Sequence, residues 1–186
     1  MSSTTEPTST PASTGLPPLR RVITEHDADG NPIINKTLSQ HPPSISPGGM
    51  NFTLGYSLNE SPAILEHDQD LRAYQDRLPH NVGLSIRGGT VLRIVDFLPG
   101  TEAPMHRTAT VDFGVMMEGE VQLIMGSGET TVLRRGDIVG QRGTLHAWKN
   151  NGNREPARGF FVLVDADLPT VNGTKLEENI PNQQYM

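Results

Sequence analysis

Short apolar runs separated by turn residues occupy the second half of the chain, at residues 90–98, 111–118, 121–126, 130–134, 137–140, 145–149 and 158–164. Runs of this length at this spacing predict an all-β sandwich or barrel. The stretch Gly126, Ser127, Gly128, Glu129 predicts a tight hairpin turn between residues 121–125 and 130–134, both of which carry strand periodicity. Upstream, residues 20–25 read as a short strand. A turn containing Asp27, Asp29, Gly30 and Asn31 leads from it to a second strand at 32–35, which together predict a hairpin laid on a larger sheet. Residues 39–50, with Pro42, Pro43, Pro47, Gly48 and Gly49, predict a loop, and residues 52–57 another strand. Residues 59–89 carry the weakest pattern; within them 66–74 fits a helical turn or two, with Asp70 and Tyr74 at i,i+4. No internal repeat is visible, so the pattern describes one barrel.

Composition narrows the picture. A chain of 186 residues with 34% hydrophobic and 19% charged residues, Gly 19 and Pro 15 is a turn-rich globular protein of one domain. The expected organisation is a disordered Ser/Thr/Pro-rich tail at 1–18, a barrel at 19–168 with its most informative part at 90–165, and a polar extension at 169–186 that trails or lies along a partner. The formal charge of -6, with no basic run, argues against nucleic acid as a partner. The tail has neither the apolar core of a signal peptide nor the length of a membrane span, so a cytoplasmic protein without a membrane role is expected. With no cysteine, any metal must be held by nitrogen and oxygen ligands.

The chemistry concentrates in two stretches. In the first, Gly100, His106, Thr108, Asp112 and Gly119 are spaced so that His106 and Thr108 share one face of a strand, with Asp112 at the same parity. In the second, Gly136 and Gly143 lead to His146, Trp148 and Asn150. Together the two stretches resemble the paired motifs of the cupin family, in which a Gly, a His-x-His, a Glu and a Gly are followed by a second Gly-turn-His segment. The first motif's spacing is kept at every step, with Thr108 where the second His usually stands and Asp112 where the Glu stands. Gln141 replaces a Pro in the second, and its Gly-to-turn interval is one residue short. The wording around both motifs is similar to compact one-domain cupins of bacteria and of fungal secondary-metabolite clusters. The resemblance implies an all-β, single-domain cupin, a double-stranded β-helix or jelly-roll barrel.

It also implies a site built on His106, Asp112 and His146, as catalytic groups or as ligands of a divalent metal such as zinc, iron, manganese or nickel. Losing one His to Thr108 and shortening Glu to Asp112 weakens that ligand set. The rival arrangement is a metal-free pocket in which His106 or His146 is a general acid or base tuned by Asp112. Arg107 or Arg142 would grip a carboxylate in either case. Thr108, Phe113, Met117 and Trp148 complete the expected substrate-binding set, Trp148 as a stacking wall or a core residue. His26, His41, His67 and His80 read as structural, and Gly119, Gly136 and Gly143 as turn residues. The expected function is tailoring of an aromatic or polyketide-like acid, aldehyde or ketone by decarboxylation, dehydration, isomerisation or oxidoreduction, without a nucleotide cofactor. The alternative is a cupin that binds a small ligand without converting it. A homodimer is expected, because the hairpin at 20–36 offers an edge strand to cover.

Overall fold

The computed structural model describes residues 11–78, 83–152 and 154–181. In chain order the strands are β1 (Thr24–His26), β2 (Pro32–Ile34), β3 (Ser44–Ile45), β4 (Met50–Leu58), β5 (Thr90–Phe97), β6 (Thr110–Glu118), β7 (Glu120–Met125), β8 (Thr130–Arg134), β9 (Ile138–Arg142), β10 (His146–Lys149), β11 (Ala157–Asp165), β12 (Thr170–Val171) and β13 (Thr174–Lys175). A 3₁₀ turn (Glu66–Asp68) and helix α1 (Gln69–Arg77) lie between β4 and β5. Two antiparallel sheets carry the fold: one of six strands in the order β3-β4-β5-β11-β6-β9, the other of three in the order β10-β7-β8. This is the all-β jelly-roll barrel that the run spacing predicts, and every strand expected from residue 90 onward is present.

Period-two alternation sorts each strand into an inner and an outer face. Val91, Val95 and Phe97 of β5, Met116 of β6 and Phe161 and Leu163 of β11 are buried between the sheets. Each fully buried side chain of this kind contributes about 1.5–3 kcal/mol. Close approach sets two glycines. A Cβ on Gly114 would stand 2.7 Å from Val139 and 2.8 Å from the Phe161 ring. At Gly119, where β6 turns directly into β7, φ is +68° and a Cβ would meet the Pro156 carbonyl at 2.6 Å.

Short strand β3 lies within the expected loop at 39–50, and three further regions differ from the sequence expectation. The β1-β2 ribbon pairs with neither larger sheet, and it starts at Thr24 rather than residue 20. The helical segment extends to Arg77, fixed by two tyrosines. Buried Tyr74 donates to the Leu54 carbonyl at 3.0 Å, and Tyr56 on β4 donates to Asp70 at 2.7 Å. Part of the supposed tail is packed: Ala12 exchanges hydrogen bonds with the Asn51 side chain (3.2 and 2.8 Å), and the Pro17 carbonyl accepts from Arg158 at 2.8 Å. Arg158 in turn makes a buried, two-pronged ion pair with Asp96, its cross-strand neighbour, at 2.6 and 2.8 Å. Residues 1–10, His80 and residues 182–186 lie outside the described residues.

Candidate functional site

Before β6 the chain crosses the end of the three-stranded sheet, and there His106 and His146 form an isolated antiparallel bridge. Each backbone N–H donates to the other's carbonyl, at 2.8 and 2.9 Å. Residues directly opposite in such a bridge send their side chains to the same face, so the two imidazoles lie side by side with ring centroids 4.4 Å apart. Each ring is oriented by the backbone two residues upstream: His106 Nδ1 bonds the Pro104 carbonyl and His146 Nδ1 the Thr144 carbonyl, both at 2.9 Å. A carbonyl only accepts, so each Nδ1 carries the proton and each Nε2 keeps its lone pair.

Trp148, two residues after His146, meets that ring edge-on at 5.7 Å and packs against Phe161 at 5.5 Å. On the facing sheet, Thr108, Thr110 and Asp112 follow at period two. Thr110 donates to Asp112 Oδ1 at 2.5 Å, so Thr108 supplies the proton of the 2.7 Å Thr108–Thr110 bond. The result is a buried hydroxyl chain ending on a carboxyl.

These groups line one cavity of about 80 Å³ that is open to solvent at its mouth. Its remaining walls are largely apolar, from residues such as Phe52, Val95, Phe97 and Leu163. Burial in that setting disfavours charge on every titratable group present. It pushes Asp112 up to about 6 against the opposing Thr110 hydrogen bond. It drives His146 down to about 4, helped by the adjacent His106, and lowers His106 as well. At neutral pH both imidazoles are neutral bases beside a carboxyl that titrates within reach of physiological pH.

The structure thus brings together His106, Thr108, Asp112, His146 and Trp148. It places Arg107, Phe113, Met117 and Arg142 outside the cavity. Arg107 follows an inward-facing His106 and therefore points out, its guanidinium donating to the Glu177 carbonyl at 3.2 Å. Phe113 and Met117 alternate with inward Asp112 and Met116 on β6 and are 58% and 40% exposed on the outer face. Arg142, next to inward Gln141 on β9, is likewise exposed. His26, His41 and His67 lie away from the cavity.

Two contributors have no counterpart in the motifs. Arg93 lines the cavity from β5, at the inward parity of Val91, Val95 and Phe97; a charge at an inward position of an apolar strand is a signal the sequence does contain. Ile180 and Pro181, in the polar C-terminal extension, form part of the wall, so that extension closes on its own barrel.

The metal expectation meets a short donor set. Among the described residues no three His, Asp or Glu side chains are grouped to hold a metal ion. His106 and His146 offer two nitrogens, Asp112 is engaged by Thr110, and Thr108 presents a hydroxyl already in that chain. The residues do not complete the three-ligand set of His106, Asp112 and His146.

A family model described as the cupin domain matches residues 93–163. Oryzines biosynthesis cluster protein J of Aspergillus oryzae is 41% identical over 169 residues, covering 89% of this chain and 93% of that protein. Phomopsin biosynthesis cluster protein D of Diaporthe leptostromiformis is 40% identical, covering 84% and 83%. The cupin-domain-containing oxidoreductase fogC of Aspergillus ruber is 37% identical, covering 88% and 80%. Jelly-roll sheets, the two His motifs and full-length relatives converge: this chain belongs to the cupin family.

Proposed function

We propose that the protein is a tailoring enzyme of secondary metabolism that moves protons on an aromatic or polyketide-like carbonyl compound held in the barrel cavity. One observation carries this reading: two neutral imidazoles, each with its proton committed to a backbone carbonyl, present paired Nε2 lone pairs to an apolar cavity. Such a nitrogen takes a proton from the carbon beside a carbonyl. Asp112, in its protonated form, supplies one to the enolate oxygen. Return of the imidazolium proton to a different carbon of the enol completes an isomerisation; where the substrate carries a hydroxyl β to the carbonyl, that proton goes to the hydroxyl, the C–O bond breaks and water leaves, which completes a dehydration. Relatives named for biosynthesis clusters, and others named cupin-domain-containing oxidoreductases, support a place in secondary metabolism.

The test is exchange of the α-hydrogens of acetophenone and propiophenone in D₂O, followed by proton NMR. Wild type should accelerate exchange, and His106→Ala and His146→Ala should each lower the rate by about 10²-fold. Variants that exchange as fast as wild type would leave the second reading, a cupin that binds a small ligand without converting it. The short donor set favours that second reading. A homodimer is proposed for either.

A further inference from the structure

We infer that Thr108 is a further catalytic residue: its hydroxyl donates to the carbonyl oxygen of the bound compound, and the proton which that oxygen takes is replaced from Asp112 by way of Thr110. This rests on the proton-transfer reading proposed above and names the group that delivers the proton.

A row of three buried side chains carries the inference. Thr108, Thr110 and Asp112 are 2%, 1% and 7% exposed. Their oxygens follow one another without a break, 2.7 Å from Thr108 to Thr110 and 2.5 Å from Thr110 to Asp112 Oδ1. A hydroxyl has one proton to give and two lone pairs with which to accept. Thr110 is engaged on both sides within the row. Thr108 Oγ1 has Thr110 as its one partner among the described residues, and Thr108 lines the cavity, so its remaining capacity is open to a ligand.

The same oxygen positions support two polarities. With Asp112 ionised, Thr110 donates to it and Thr108 donates to Thr110, which leaves Thr108 only lone pairs for the cavity. With the proton on Asp112 Oδ1, Asp112 donates to Thr110 and Thr110 to Thr108, which frees the Thr108 proton for the cavity. Residues two apart on an extended chain lie about 7 Å from one another. That leaves room between the His106 imidazole and the Thr108 hydroxyl for an α-carbon and its carbonyl oxygen.

The imidazole Nε2 takes the proton of the α-carbon, and the electrons of that C–H bond pass into the carbonyl to form the enolate. The enolate oxygen takes the Thr108 proton, Thr108 takes that of Thr110, and Thr110 takes that of Asp112. Both hydroxyls end neutral and Asp112 ends as the carboxylate, with Thr110 donating to it. In a low-dielectric wall the members of such a chain polarise and strengthen one another.

The test reads the carbonyl itself. Acetophenone labelled with ¹³C at the carbonyl is bound at pH 5, where Asp112 holds its proton, and the bound resonance is recorded by NMR. Donation to the oxygen moves that resonance downfield. Thr108→Val, which keeps the shape and removes the hydroxyl, should move it upfield of wild type, and Thr108→Ser should restore it. An unchanged resonance in Thr108→Val overturns the assignment. In the α-hydrogen exchange assay, Thr108→Val and Thr110→Val should each lower the maximal rate by about 10²-fold, the scale of losing one donor to a developing oxyanion. The Ser variant at each position should stay close to wild type; a Ser variant as slow as its Val counterpart would mean a structural role and overturn the inference. If a Val variant does not fold, Ala at the same position takes its place. Wild-type exchange in both Val variants overturns this inference and leaves the proton-transfer reading standing, whereas no exchange in wild type overturns both.

Discussion

Asp112 is the residue at which the site's chemistry becomes a stability measurement. Its folded pKa is raised from 3.8 to about 6 by burial. The folded state therefore holds the proton more tightly than the unfolded chain, so the group's contribution is complete below the unfolded value and is lost as pH rises through about 6. The two-unit shift corresponds to about 3 kcal/mol at its limit. His146 works in the opposite sense: lowered to about 4, it favours folding above its unfolded pKa, and that contribution is lost as pH falls through about 4. Replacing Asp112 by Asn keeps an acceptor for Thr110 and removes the titration. Urea unfolding should then show Asp112→Asn gaining about 1–2 kcal/mol more over wild type at pH 8 than at pH 5. An identical gain at both pH values would mean that the carboxyl is not desolvated in the folded protein.

Secondary elements and motifs were readable to different depths. The strands from residue 90 are short apolar runs bounded by turn residues, so local pattern alone locates them, and His106 and Asp112 share the parity of a strand. That parity also sorts the expected substrate contacts: odd-numbered Arg107, Phe113 and Met117 cannot share a face with even-numbered His106, Asp112 and Met116 along one strand. Nearness to a motif histidine in sequence does not place a side chain in the cavity; the structure follows parity. The C-terminal extension is not legible in the local pattern because non-local contacts place it. Arg107 and Asn179 exchange both backbone hydrogen bonds, at 2.7 and 2.8 Å, and Glu178 accepts from the Ala109 N–H at 3.3 Å. Asn179 thereby lies at the edge of the barrel, and neighbouring Ile180 reaches the cavity. Arg107, placed outside the cavity, is a positioning residue for this strap. Asn179→Pro removes one of the two bridge donors. Acrylamide should then quench Trp148 fluorescence more strongly than in wild type, with the far-ultraviolet circular dichroism unchanged. Quenching equal to wild type would show that the strap does not shield the cavity.

At the scale of the molecule, the outer face of the six-stranded sheet is unusually apolar for a surface in water. Phe113, Met117 and Ile138 are 58%, 40% and 80% exposed. They are neighbours, because Val115 pairs across the strands with both Ile138 and Phe160, and Phe113 with Val162. Separately from that patch, the β1-β2 ribbon exposes Ile33 and Ile34, 40% and 47%. A contiguous patch of this kind marks an association surface, and an isolated two-stranded ribbon has edges that pairing would satisfy. The occupant expected is a second copy of this chain, joined about a two-fold axis so that each patch covers the other. Light scattering after size exclusion should give twice the 20.3 kDa chain mass. Phe113→Glu with Ile138→Glu should return it to the single-chain value, since neither charge can be buried without a partner. A wild-type monomer at micromolar concentration would remove the dimer. On β6 the patch residues Phe113 and Met117 lie on the outer face, opposite the inward Asp112 that lines the cavity. The monomeric variant should therefore keep the α-hydrogen exchange of wild type, whereas a loss of exchange with the dimer would mean that the second copy helps to shape the site.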